Sequence, residues 1–191
     1  MRVITGTAKG HHLKSPKGSG TRPMLDSVKG SLFAILEGYG VMHGRILDLY
    51  AGTGSIGIEA LSRGVAWADF VEQKANVCAI IKENLTHTKL ATRAKVYQQP
   101  VQRFVQQHQG GEPYTLIMMD PPYADPKIHE TLELVANANL LVPGGILIVG
   151  HSIHVEFVET YGPLVRCEFR RFGGSCYTLF EMPEASDGGN P

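Results

Sequence analysis

The strongest constraint on the fold is an alternation of apolar strand-like segments with helix-like segments that begins at Arg45. Strands are predicted near residues 45–50, 67–72, 94–98, 114–120 and 145–150, with helices between them near 54–63, 74–86, 100–108 and 127–138. A helix between two strands acts as a crossover, so the strands lie parallel and helices cover both faces of the sheet. The alternation therefore predicts an α/β, Rossmann-like fold.

The pattern changes after the fifth strand. A helix is predicted over residues 153–161, followed by strands over 164–171 and 175–182. The short link through Gly173 and Gly174 has no room for a crossover helix, so the last two strands should form an antiparallel hairpin at the sheet edge. The complete prediction is a seven-stranded, mostly parallel sheet with an antiparallel C-terminal hairpin.

The segment before the first strand has its own pattern. Residues 2–6 and 11–14 predict a short basic β-hairpin, and Asp26 is predicted to be the N-cap of a helix over residues 27–37. We therefore predict three segments. Residues 1–24 form a basic hairpin and linker, residues 25–183 an α/β domain, and residues 184–191 a disordered tail.

Charge is unevenly distributed along the chain. The 18 basic and 18 acidic residues balance, but residues 1–30 contain six basic side chains and one acidic side chain. A basic end on an acidic body indicates contact with a polyanion, whereas a merely solvated arm is the alternative interpretation. The candidate contacts are Arg2, Lys9, Lys14, Lys17 and Arg22.

Composition excludes several classes of protein. No apolar run approaches the roughly 20 residues of a membrane span, and the N-terminus lacks the apolar region of a signal peptide. Cys78, Cys167 and Cys176 are scattered, which favours neither a disulfide scaffold nor a metal cluster. The sequence predicts a cytoplasmic protein without a membrane segment or a metal site.

A strand, a glycine-rich loop and a helix start follow one another over residues 46–57. Gly52 and Gly54 let the backbone approach a ligand closely, and the helix start offers unpaired N–H groups. Glu72 ends the next strand, where a carboxylate can accept hydrogen bonds from both hydroxyls of a ribose. Asp48, on the strand before the loop, suits a cationic or amine-bearing ligand.

Two cofactors are compatible with these residues. The spacing of Gly52, Gly54 and Gly57, together with Glu72, fits the dinucleotide fingerprint, so a nicotinamide-dependent oxidoreductase is one interpretation. Asp48 favours S-adenosylmethionine, whose ammonium, sulfonium, ribose and carboxylate all find a partner here. A tight connection without a ligand is the third interpretation.

A second motif, Asp120-Pro121-Pro122-Tyr123, ends an apolar run. The prolines fix φ and remove two backbone donors, so the strand stops there. Asp120 can accept a hydrogen bond from an amino group, the Pro121 carbonyl can accept another, and the Tyr123 ring can stack on a base. The motif predicts chemistry on an exocyclic amine, with a plain proline turn as the alternative.

Together these motifs resemble the class I methyltransferases and, more closely, the RsmD-type family of bacterial 16S ribosomal RNA (guanine-N2) methyltransferases. The N-terminal stretches narrow the match to this family, and the resemblance extends to about residue 181. The matching stretches are residues 1–6, 15–18, 20–23, 48–54, 59–64, 120–123 and 171–173.

The resemblance implies methyl transfer from S-adenosylmethionine to a guanine N2 amine in small-subunit ribosomal RNA, either naked or in the assembling 30S particle, by a monomer. The cofactor residues that it implies are Asp48, Tyr50, Gly52, Gly54, Glu72 and Gln99. Those at the target base are Asp120, Pro121 and Tyr123, and the N-terminal basic residues named above contact RNA.

The chain departs from the family pattern at two places. Gln99 and Pro100 stand where the family usually has an acidic residue near the adenine, and Gly150 stands where it has a glutamate. Two other functions remain open. DNA adenine-N6 methylation would use the same Asp-Pro-Pro-Tyr motif, although no target-recognition domain is recognisable. A cofactor-binding ribosome assembly factor with weak catalysis is indicated only by the changed residues near the adenine.

Overall fold

A computed structural model describes residues 1–16, 24–122 and 125–184, which form one sheet flanked by helices. The strands are β1 (Arg45–Leu49), β2 (Trp67–Glu72), β3 (Ala94–Gln98), β4 (Tyr114–Met119), β5 (Leu141–His151), β6 (Thr160–Tyr161), β7 (Leu164–Phe172) and β8 (Ser175–Glu181). The helices are α1 (Asp26–Gly38), α2 (Ser55–Ser62), α3 (Ala75–His87), α4 (Val101–Gln107) and α5 (Ile128–Ala136), with a 3-10 turn at Ala91–Arg93. The predicted α/β, Rossmann-like fold is confirmed.

Within the described ranges the sheet has eight strands, in the order β3-β2-β1-β4-β5-β8-β7-β6. Strands β1 to β5 are parallel, and β8 lies antiparallel between β5 and β7, as the predicted C-terminal hairpin requires. The chain builds outward from β1 on one side and from β4 on the other, so these two neighbours mark the point where strand order reverses. Ligands of open α/β sheets bind beyond the carboxyl ends of the strands at such a point.

The alternation of side chains along the strands creates two apolar layers. On the first face, Ile46, Phe70 and Met118 belong to the cluster that includes residues of α1, α2 and α3. On the second face, Leu47 and Ile117 belong to the cluster that includes residues of α4 and α5. Strands buried on both faces are uniformly apolar, which explains why β4 has the sequence of a continuous hydrophobic run.

The N-terminal segment is part of the first apolar layer. Val3, Ala8 and Leu13 are buried within it. Among the described residues this segment has one antiparallel bridge, between Arg2 and His12, where the sequence predicted a hairpin of two strands. The boundary proposed near residue 24 therefore does not separate two apolar cores.

A buried ion pair fixes this segment to the first two helices. Lys29 of α1 and Glu59 of α2 are both fully buried, with 3.3 Å between Nζ and Oε2. Lys29 Nζ also donates to the carbonyl of Arg2 at 2.7 Å, and Glu59 accepts the backbone N–H groups of Ile4 and Thr5 at 2.8 and 3.0 Å. Burial lowers the pKa of Lys29, and the Glu59 carboxylate opposes that shift.

The predicted helix over residues 153–161 is wrong. Phe157 and Tyr161, spaced by four residues as on a helix face, are both buried, but each packs its ring edge against Phe180 of β8. Tyr161 belongs to β6, which pairs antiparallel with β7 and becomes the eighth strand. The apolar spacing therefore reflects aromatic packing by a non-helical segment rather than helical periodicity.

The prediction that Asp26 is the N-cap of α1 is also wrong. Leu25 is the N-cap of α1, and Asp26 is the first residue of the helix, where its carboxylate accepts a hydrogen bond from Arg2 Nε at 3.0 Å. An acidic residue in the first turn is still favourable because it complements the helix dipole.

In the part of the chain that the structure describes, no helix has both the length and the apolar character to cross a membrane.

Replacing Lys29 by methionine should destabilise the protein strongly. The substitution removes the Lys29 ammonium group from the buried Glu59 carboxylate, which keeps only Arg63 Nε, 3.0 Å from its Oε1. Removing one partner of a buried pair typically costs about 3–5 kcal/mol. Urea denaturation measures the change in the free energy of unfolding. Asp26→Asn is the matched control, since it removes only the exposed pair with Arg2 and should cost about 0–1 kcal/mol. Equal costs for the two variants would contradict the role assigned to the buried pair.

Candidate functional site

The loop between β1 and α2 has an unusual backbone conformation. Gly52 and Gly54 have φ values of 54° and 76°, and Tyr50, which is not a glycine, has a φ of 60°. This left-handed region is costly for residues with a Cβ atom, so two of the three positions require glycine. The loop is also packed from below, because a Cβ on Gly54 would lie 3.1 Å from Ile81 of α3. The backbone is thereby held open toward the carboxyl edge of the sheet.

Asp48 lies on β1 beneath this loop. Its side chain is buried, and Oδ2 accepts a hydrogen bond from the backbone N–H of Gly57 at 3.0 Å. Burial raises the pKa of Asp48 to about 8, the Gly57 N–H opposes the shift, and the negative charges of Asp120 and Glu72 add to it. Gly57 has no room for a side chain, since a Cβ there would lie 2.3 Å from the Phe70 ring. Asp48 therefore holds the start of α2 and presents a carboxyl group that a nearby cation would ionise.

Asp120 follows β4 and lies on the same face of the sheet as Asp48. The register pairs Asp48 with Met118, and Asp120 comes two residues later, where alternation returns the side chain to that face. Asp120 is open to solvent on one side, yet the protein around it removes enough hydration to raise its pKa to about 6. The two acids therefore lie on one face of the sheet at the switch point, near enough for the charge of Asp120 to raise the pKa of Asp48. We call the region around these two acids the cleft.

The floor beneath Asp120 is formed by Gly150 and Tyr177. A Cβ on Gly150 would lie 2.1 Å from Oδ1 of Asp120 and 3.2 Å from the Tyr177 ring. Tyr177 is buried on β8 opposite Gly150, and burial followed by the charge of Asp120 raises its pKa. The carboxylate of Asp120 can therefore occupy this position only because residue 150 has no side chain.

Glu72 and Gln99 meet at the ends of β2 and β3. The backbone N–H of Gln99 donates to the carbonyl of Glu72 at 3.1 Å, and the Glu72 carboxylate accepts from the N–H of Lys74 at 2.8 Å. Pro100 is the N-cap of α4 and has no N–H to offer, while Gln99 is partly exposed beside it. The structure thus brings five predicted cofactor residues, with Tyr50 beside them, to one edge of the sheet.

The predicted RNA contacts are distributed along the N-terminal segment. Arg2, Lys9 and Lys14 are all exposed. Arg2 and Lys14 lie near the glycine loop, but Lys9 does not. The turn that carries Lys9 is bound to Ser62 at the far end of α2, about 10 Å along the helix from its start.

Three predicted residues lie outside the described residues: Lys17, Arg22 and Tyr123. Pro121, directly after Asp120, is described and buried.

Sequence analysis did not identify Gly150, Tyr177 and Lys29 as contributors to the site. A glycine inside a strand often marks a close approach of another group, so the signal for Gly150 was present. Tyr177 could be placed only through the pairing of β5 with β8, which composition does not reveal.

Over the described ranges, no group of three His, Cys, Asp or Glu side chains is arranged to hold a metal ion.

The arrangement can support a specific kind of chemistry. Asp48 offers a carboxyl group to a cation, the glycine loop and the start of α2 offer backbone N–H groups, and Asp120 offers an acceptor in the same cleft. Neither acid has a strongly basic neighbour in direct contact among the described residues, and loss of hydration raises the pKa of both. The cleft is suited to binding a positively charged ligand beside a polar group that donates hydrogen bonds.

The chain is similar to several known proteins. A family described as Conserved hypothetical protein 95 matches residues 1–181. A Bacillus subtilis protein, with the provisional name rRNA methyltransferase YlbH, is 37% identical over 174 residues, which cover 91% of this chain and 94% of that protein. Ribosomal RNA small subunit methyltransferase D of Escherichia coli is 32% identical over 153 residues, 80% of this chain and 75% of that protein. A solved Escherichia coli structure, yhhF, provisionally described as a methyltransferase, has a TM-score of 0.84 at 27% identity and covers 97% of this chain and 99% of that one.

The raised pKa of Asp48 should appear in the pH dependence of stability. An acid whose pKa is higher in the folded state binds its proton more tightly there, so folding becomes more favourable as pH falls through the folded value. With a folded pKa of about 8, lowering the pH from about 9 to about 7 should stabilise the ligand-free protein by about 1.4 kcal/mol through this group.

Urea denaturation at both pH values, for the natural protein and for Asp48→Asn, measures this contribution as a difference. The asparagine keeps an oxygen for the Gly57 N–H but cannot titrate, so the variant should lack the gain. An identical pH dependence in both proteins would contradict the buried protonated state of Asp48.

Proposed function

Because the chain belongs to the Conserved hypothetical protein 95 family of RsmD-type methyltransferases, we propose that it methylates the N2 amine of a guanine in small-subunit ribosomal RNA, with S-adenosylmethionine as the methyl donor. The observation that carries the proposal is the placement of Asp48 and Asp120 on one face of the sheet, in one cleft at the switch point.

The residues at the first strand tip fit this cofactor. Asp48 would bind its ammonium group, and the positive charge would draw Asp48 into the ionised form. The open backbone at Gly52 and Gly54 would receive the carboxylate, and Glu72 would accept the ribose hydroxyls. When bound, the cofactor supplies a methyl group on a positively charged sulfur. Gln99, adjacent to Glu72, is the residue we assign to the adenine.

The residues at the second strand tip fit an aromatic amine. The lone pair of a guanine amine is delocalised into the ring, so the amine is a weak nucleophile until it is oriented. Asp120 would accept one N–H of the amine and the Pro121 carbonyl the other, which directs the lone pair toward the methyl group. At neutral pH Asp120, with a pKa of about 6, is mainly a carboxylate and can act as that acceptor. After transfer the amine is acidic, so a strong base is unnecessary.

The target base must leave its stack before the amine can reach Asp120. We propose that Tyr123 stacks on the base once it has moved out, which would explain an aromatic residue directly after the two prolines. The exposed cations Arg2 and Lys14 lie on the face of the sheet that carries both acids, where they would contact RNA phosphates. A small, unpaired loop of RNA is the kind of substrate that this open cleft suits.

Methyl transfer to RNA is the decisive experiment. The purified protein should transfer a labelled methyl group from S-adenosylmethionine to small-subunit ribosomal RNA or to small subunits from cells that lack the protein. Nucleoside mass analysis should identify N2-methylguanosine. Labelling of DNA adenine in preference to RNA, or of no nucleic acid at all, would overturn the proposal.

Asp120→Ala should abolish most of this transfer. Loss of a preorganised acceptor at the reacting group typically lowers kcat by about 100- to 1,000-fold. Binding of S-adenosylhomocysteine, measured by calorimetry, should persist because Asp48 and the glycine loop are intact. Asp26→Ala removes an acid outside the cleft and should keep normal transfer, so it is the matched control. Near-normal turnover by Asp120→Ala would remove Asp120 from the mechanism.

Gly150→Ala tests the floor of the same pocket. The added Cβ would occupy the position of the Asp120 carboxylate and displace it, and a misplacement of about 1 Å can lower a rate by about 100-fold. Gly30→Ala is the matched control, since a Cβ there meets nothing within 4 Å and lies on a helix. Both variants should fold normally, and only Gly150→Ala should show impaired methyl transfer. Equal activity in both variants would show that Asp120 does not need this position.

A further inference from the structure

A groove separates the N-terminal segment from helix α3. Its lining includes His12 and Lys14 on one wall and Lys82, Asn84 and His87 on the other, and its volume is about 610 Å³. Pockets that bind small molecules typically measure about 300–1,000 Å³, so a nucleotide can be accommodated. We call this pocket the α3 groove. It lies on the first face of the sheet, outside the cleft that holds Asp48 and Asp120.

The α3 groove carries donors suited to an anion. Lys14 and Lys82 bring an ammonium group to each wall, and the imidazoles of His12 and His87 add N–H groups and flat rings. Glu83 is the one acid among the described residues of the lining, and Lys14 Nζ already binds its carboxylate at 2.6 Å. Lys82 therefore faces the groove without an ion pair of its own among the described residues.

The floor of the groove is connected directly to the glycine loop through Asn84. This side chain is 1% exposed, and its Oδ1 accepts the N–H of Lys14 at 2.8 Å. Its Nδ2 donates to the carbonyl of Lys14 at 3.1 Å and to that of Thr53 at 3.0 Å. One buried amide therefore fixes both the groove wall that carries Lys14 and the loop that lies between Gly52 and Gly54.

We propose that the α3 groove binds a phosphate-bearing nucleotide of the RNA substrate, and that Asn84 couples its occupancy to the cofactor loop; this inference rests on the proposed function. Lys14, Lys82 and the imidazoles donate to phosphate oxygens, and the rings give the base an aromatic surface. Because the side-chain amide of Asn84 binds the backbone of both Lys14 and Thr53, a shift of the groove wall is transmitted to the loop. Coupling between two sites is reciprocal, so RNA should tighten cofactor binding by the factor by which cofactor tightens RNA binding.

Charge reversal at Lys82 tests the site. Binding of a small-subunit ribosomal RNA transcript is measured by filter retention over a range of salt concentrations, with the full-length protein. Lys82→Gln should weaken binding by several-fold and reduce the slope of log affinity against log salt by about one, and Lys82→Glu should weaken it further. Lys95→Glu is the matched control because Lys95 lies over the ring of Tyr97 on the second face. Unchanged RNA affinity and salt slope in Lys82→Glu would overturn the site.

Asn84→Asp tests the coupling. The aspartate keeps an oxygen for the Lys14 N–H but cannot donate to the carbonyl of Thr53. The affinity for S-adenosylhomocysteine is measured by calorimetry with and without saturating RNA. The natural protein should show a ratio of about fivefold or more, and the variant a ratio near one. The same ratio in both proteins would overturn the coupling.

Three further outcomes distinguish failure of this inference from failure of the proposed function. If free guanosine monophosphate binds in a Lys82-dependent way while RNA affinity does not depend on Lys82, the groove is a site for free nucleotides, and its assignment to RNA is overturned. If the natural protein transfers no methyl group to RNA, the proposed function itself fails. RNA methylation that proceeds unchanged in Lys82→Glu would overturn the groove alone.

Discussion

The buried pair of Lys29 and Glu59 is the interaction on which the arrangement of the site depends. Two opposite charges excluded from water are costly to place, and they are tolerated only where further hydrogen bonds satisfy them. Here those bonds come from the carbonyl of Arg2, the N–H groups of Ile4 and Thr5, the hydroxyl of Ser55, and Nε of Arg63, which donates to Glu59. Ser55 is the first residue of α2, directly after Gly54. The pair thus joins the N-terminal segment to the helix start that would face the cofactor.

This connection changes the meaning of the basic N-terminus. The composition of this segment is also compatible with a merely solvated arm. Its apolar residues instead complete the first layer of the core, and Asn84 binds both Lys14 and Thr53. A surface that contacts RNA through this segment would therefore be mechanically linked to the glycine loop.

The fold was largely predictable, whereas the details of the site were not. Local periodicity identified the seven long strands and five helices, because the central strands of the sheet are buried and have a clear apolar pattern. The same reasoning misplaced a helix over residues 153–161, since the ring packing of Phe157 and Tyr161 imitates helical spacing. Asp48 and Asp120 could be brought together from sequence alone because parallel strands end at one edge. Tyr177 and Asn84 could not, because their contacts depend on strand register and on side-chain direction between distant elements.

Gly150 illustrates how a departure from a family pattern acquires a physical meaning. At the level of sequence alone, a glycine in place of a glutamate means only the loss of a charged group. In the folded chain a Cβ at this position would overlap Oδ1 of Asp120, so the absence of a side chain is what admits the catalytic acid proposed for this cleft. Adding a second carboxylate beside Asp120 would also raise its pKa further, because like charges disfavour ionisation. Asp120 already has a pKa of about 6, and a higher value would leave less of the carboxylate that must accept the amine at neutral pH. In this chain, then, the glycine is compatible with the proposed chemistry on both steric and electrostatic grounds.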